Sequence, residues 1–96
     1  LMTTVPTYQS DALTYIAGEN YMLVVDAAHE VIDFIAYLDM RLTRCVMEDM
    51  RLAAFTVGLC SRRQQPHLIA HNGESDLNAF YAVLLAKMGS RQLASA

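Results

Sequence analysis

From Asn20 to Arg63 the chain contains no proline, and its polar residues recur at the spacing of an α-helix. Asp26, Glu30, Asp33, Tyr37, Arg41, Arg44, Glu48 and Arg51 follow one another at intervals of three and four. At about 100° per residue they fall in one stripe about 80° wide. Val24, Ala28, Val31, Ile35, Leu42, Val46, Ala53 and Val57 occupy the opposite side. A single phase kept across Asp39 predicts one long helix from about Asn20 to about Arg63, with Gly58 its only glycine. Acids mostly precede bases along the stripe, which suits the helix dipole. The alternative is a break at Asp39, which would cap a second helix starting at Met40 and fold the segment into a hairpin. No Gly or Pro marks a turn there, so the continuous helix is the preferred reading.

The flanking segments complete an all-α expectation for a single small domain spanning residues 1–96. Residues 1–9 read as an irregular arm, with Pro6 opposing helix and Met2 as the natural start after a cloning remnant, Leu1. Ser10 and Asp11 resemble a helix start, and Gly18 a helix stop. Beyond Pro66, the connector reaches His71-Asn72-Gly73, a strong turn signal. Ser75 then caps a last helix with Leu77, Phe80, Tyr81, Leu84, Leu85 and Met88 apolar, ended by Gly89, and residues 90–96 form a frayed tail.

The composition makes a demand of its own. The chain is 54% hydrophobic and 18% charged, against about 45–50% and 25% in ordinary soluble domains. A chain of 96 residues has proportionally little interior in which to hide that surplus. A helix of about forty residues would also be a rod of about 60 Å, whereas a compact chain of this size has a radius of gyration near 13 Å. Both features predict a symmetric homodimer, with Ile35, Leu42, Val46 and Ala53 at its interface. Met40, Arg44 and Met47 share an edge where flexible thioethers meet a polar rim, which marks them as candidates for contact with a larger partner.

No constellation names a reaction. Asp26-x-x-His29 with Asp33 resembles half of a carboxylate–imidazole metal motif, but His67 and His71 have no matching acids. The HLIAH segment lacks the glutamate of a zinc protease. There is no glycine-rich nucleophile elbow, phosphate loop or dinucleotide fingerprint. Neither a cofactor nor a metal is therefore expected. Cys45 and Cys60, about 22 Å apart on a continuous helix, read as two buried thiols. A net charge of −3 offers no footprint for nucleic acid, and Arg41, Arg44 and Arg51 alternate with acids while Arg62-Arg63 sit at a helix end. No uncharged run approaches the roughly 18 residues of a membrane span, and no secretory segment opens the chain, so a cytoplasmic location is expected.

These features predict a non-enzymatic regulator or adaptor that binds another protein through apolar helix faces. The favoured form is an anti-activator that masks a transcription regulator. The alternatives are a small-ligand-binding helical module and a minor DNA-associated protein.

Overall fold

A computed structural model describes residues 4–60 and 65–95. It overturns the all-helical expectation, because the segment from Asn20 onward is built of strands. Among the described residues seven strands precede one α-helix: β1 (Thr7–Ser10), β2 (Leu13–Ala17), β3 (Tyr21–Val25), β4 (Val31–Ala36), β5 (Met40–Glu48), β6 (Arg51–Leu59), β7 (His67–Ala70) and α1 (Leu77–Ser95). They form two antiparallel meanders, β1-β2-β3-β4 and β5-β6-β7, joined by a 3-10 turn at Tyr37–Asp39. Asp39 therefore does mark a boundary, but between two sheets rather than two helices. The radius of gyration is 13.1 Å, which leaves no room for a rod of about 60 Å.

The polar stripe misleads because its members sit in unrelated places. Asp26 and Glu30 belong to the β3–β4 turn, Asp33 to β4, Tyr37 to the 3-10 turn, and Arg41, Arg44 and Glu48 to β5. The local composition tells more than the phase. Val24, Val25, Val31, Ile32, Phe34 and Ile35 are β-branched or aromatic, the residues that suit a pleated surface. Short apolar runs of this kind cannot be told from buried helix by periodicity.

The reversals are hidden too, since few of them use glycine. Asp11, His29, Arg44, Asp49 and Met50 all take positive φ, the left-handed conformation that most side chains avoid. Asp49 (φ 48°) and Met50 (φ 64°) together form the two-residue turn between β5 and β6, a position where Asn-Gly is the usual signal. In the β3–β4 turn, Asp26 accepts hydrogen bonds from the Ala28 and Glu30 amides at 2.9 Å each, so its side chain does the work of a turn residue. The Ser10-Asp11 and Gly18 signals mark the β1–β2 and β2–β3 turns rather than the ends of a helix. Gly18 is required there because a Cβ would lie 2.9 Å from the Tyr21 carbonyl oxygen.

Two sequence signals match the structure closely. Asn72 accepts hydrogen bonds from the Glu74 and Ser75 amides, and Gly73 has φ 84°, as the His71-Asn72-Gly73 turn requires. The C-terminal helix forms with Leu77, Phe80 and Leu84 of its expected apolar face in the core, Tyr81 and Met88 packed against it and Leu85 exposed, although Asp76 rather than Ser75 caps it, by accepting from the Asn78 amide. It passes through Gly89 and continues to Ser95.

The core gathers buried side chains from both sheets, with α1 packed against the 3-10 turn, β6 and β1. Tyr15, Met22, Val24 and Ile35 meet Met40, Phe55, Val57 and Ile69, and Leu77, Phe80 and Leu84 descend from the helix. Polar stitches hold the layers together. Tyr8 donates to the Ser75 carbonyl at 3.0 Å and accepts from the Asn72 amide at 3.1 Å, while Ser10 donates to the Ala70 carbonyl at 2.8 Å. His67 on β7 pairs with Asp33 on β4 at 2.8 Å, joining one sheet to the other.

Candidate protein-docking groove

β5 and β6 form a long hairpin, and β5 is the outer strand of its sheet. Among the described residues no strand pairs with its outer side. Its register with β6 shifts twice, between Thr43 and Val46 and again between Val46 and Met47. The first shift places Arg44 (φ 52°) and Cys45 opposite a single residue, a bulge that bends and twists the strand. Beyond that bulge every residue from Arg44 to Glu48 is exposed.

The helix runs beside this exposed stretch and is fastened to the hairpin. Asn78 in its first turn accepts a hydrogen bond from the Leu52 amide at 2.9 Å. Tyr81, one turn further on, packs edge-on against the buried ring of Phe55 with centroids 4.9 Å apart. Its hydroxyl accepts a hydrogen bond from the Cys45 thiol at 3.4 Å. That hydrogen bond first, and burial second, raise the Tyr81 phenol above its ordinary pKa of 10.0. Between strand and helix lies an open apolar groove of about 290 Å³, lined by Cys45, Met47, Leu52, Asn78 and Tyr81. The helix surface continues it without charge, since Ala79, Ala82, Leu85 and Ala86 are all exposed.

The sequence-predicted site residues scatter over this frame. Of the proposed dimer contacts, Ile35 is buried on β4, Leu42 packs against the core from β5, Ala53 is half-buried on β6, and only Val46 is exposed. They form no common exposed surface, because the helix that would have aligned them is absent. Of the proposed partner contacts, Met40 is a core residue, whereas Arg44 and Met47 are exposed on the β5 edge beside the groove. The sequence reading missed Cys45, Leu52, Asn78 and Tyr81 as a group. They come from three elements, and only folding makes them neighbours.

The remaining candidates are also relocated. Cys45 and Cys60 are exposed rather than buried, and neither is in a disulfide. Asp26 is engaged in its turn, His29 is exposed, and Asp33 is paired with His67. Among the described residues no group of three or more His, Cys, Asp or Glu side chains is placed to hold a metal ion. Arg41, Arg44 and Arg51 are exposed on the β5–β6 hairpin, while Arg62 and Arg63 lie outside the described residues. No described helix is long and apolar enough to cross a membrane. No family model, no curated protein and no solved structure matches this chain.

Proposed function

We propose that this chain is a protein-interaction module that receives an extended segment of a partner protein as an added strand along β5. The observation that carries this reading is the exposed outer strand β5 set beside an apolar groove against α1. Backbone N–H and C=O groups on such an edge supply affinity, and a pocket beside them selects alternate side chains of the incoming segment. Cys45 and Met47 are two residues apart on β5, so both side chains lie on one face of the strand. Together with Leu52 and Tyr81 they form a seat for one large apolar anchor.

Charge sets the order of residues that an antiparallel segment should carry, although Arg51 lies opposite Glu48 and offsets part of the acidic end. Exposed Arg41 and Arg44 lie toward the start of β5, and Glu48 and Asp49 toward its end. An antiparallel segment thus meets the acids with its N-terminal part and the arginines with its C-terminal part. It fits best with a basic residue before the anchor and an acidic one after it. A regulator whose segment is held in this way is withdrawn from its other contacts, and an adaptor or anti-activator would act through such masking.

Selection of displayed random peptides on the immobilised chain tests the reading. Enriched peptides should carry an apolar anchor, shift the amide resonances of residues 43–48 and 78–85, and lose about tenfold or more in affinity to the Met47→Glu variant. Peptides that bind elsewhere, or that bind the variant equally well, would sink it.

A further inference from the structure

The outer face of the first sheet carries an inference independent of the groove. In an antiparallel sheet with one buried side, the solvent side ordinarily alternates to polar residues. Here it does not. Cross-strand neighbours Ile16, Leu23 and Phe34 form one row, Val25 and Val31 lie opposite each other in a second, and Tyr21 faces Ala36 in a third. Ile32, the extra residue at the β3–β4 bulge, is exposed beside them. Tyr21 and Phe34 stack edge-on at 5.8 Å, so the two largest side chains hold each other in place on the surface. Phe34 is 62% exposed. No charged residue belongs to these rows.

We infer that a second copy of this chain covers this face, giving a homodimer in which the two first sheets pack against each other. Tyr21, Val31, Ile32 and Phe34 are all exposed and present roughly 400 Å² of side chain, the size of patch that is often functional on a small protein. With the half-buried Ile16, Leu23, Val25 and Ala36 between them, the apolar face comes to roughly 600 Å², so that two copies together bury about 1,200 Å², the lower end of the range for stable interfaces. In a two-fold contact each group can meet its own copy, and a face without charge carries nothing that would repel itself there. The contact is made through the face rather than through the edge of β4. There the Asp33 carboxylate accepts from the Phe34 amide at 2.8 Å and pairs with His67, which blunts the edge against strand addition.

Sedimentation equilibrium of the wild-type chain should show a dimer at micromolar concentration. Phe34→Glu should weaken it by roughly thirtyfold or more, the loss expected for a central aromatic anchor, with an unchanged circular dichroism spectrum because the side chain is already mostly exposed. Ile32→Glu serves the same purpose should the first variant lose its fold. Met47→Glu should leave the dimer intact, which separates this interface from the docking groove. A wild-type monomer at those concentrations, or a dimer indifferent to Phe34→Glu and Ile32→Glu, would overturn the inference.

Discussion

The first sheet pairs four strands, closes its last edge with Asp33, and turns an uncharged face to the surroundings. The second pairs three strands and ends on a long bulged strand with no neighbour beyond it among the described residues. Both contribute to one core, so the difference lies in what each leaves uncovered. An apolar face asks for another apolar surface of similar area and is indifferent to direction. A strand edge asks for backbone donors and acceptors at fixed spacing and therefore reads direction. On the two proposals made above, surfaces with such different requirements would take different partners without competing.

The largest expected effect tests whether the two sheets are one cooperative unit. Phe55 is fully buried on β6 and supports Tyr81 in the groove. Phe55→Ala should cost about 3–5 kcal/mol in urea denaturation, and hydrogen exchange should show β3 losing protection together with β6. If β3 keeps its protection while β6 opens, the sheets are separate units and the shared core explains less than it does here.

Alkaline titration sharpens the comparison at the junction between the sheets. Tyr37 sits in the linking turn, is fully buried, and donates to the Gly18 carbonyl at 2.7 Å. Burial raises its phenol from 10.0 to about 12. The folded state therefore keeps its proton where the unfolded chain loses it. Its contribution to stability is complete below about pH 10 and is lost as the pH rises toward 12. Thermal melts of the wild type should fall steeply over that window, and Tyr37→Phe should flatten the fall. An unaltered slope in the variant would show that the junction is not the alkali-sensitive point.

The smallest effect has the opposite sign and belongs to the second sheet alone. Met50 is 93% exposed at the hairpin tip with φ 64°. Met50→Gly should raise stability by about 0.5 kcal/mol, since glycine takes that conformation without a Cβ penalty. A loss of stability on chemical denaturation would mean that the Met50 side chain holds the hairpin in place.

How far this fold was legible in the sequence depended on how local each signal was. The α1 helix and the Asn72-Gly73 turn could be read because their capping residues and apolar spacing lie within a few positions of one another. The β5–β6 turn could not, because Asp49 and Met50 adopt a conformation that their side chains do not advertise. The groove was legible only in part. Met40, Arg44 and Met47 were grouped as one edge of a helix that does not form; the strand buries Met40 and exposes the other two, and Tyr81 and Asn78, more than thirty residues further along, are tied to that strand and its neighbour through Cys45 and Leu52.

By itself, the sequence determined that this chain carries more apolar side chains than so small a domain can comfortably enclose, and that its C-terminal segment is a helix. Both follow from counting and from short-range spacing. Tertiary structure alone decided that residues 20–60 would pair as strands, which of those side chains would face inward, and which would be left on a sheet face or beside an edge. The physical reason is that β-branched and aromatic runs satisfy helical and extended periodicities alike, and the choice between them rests on backbone partners elsewhere in the chain.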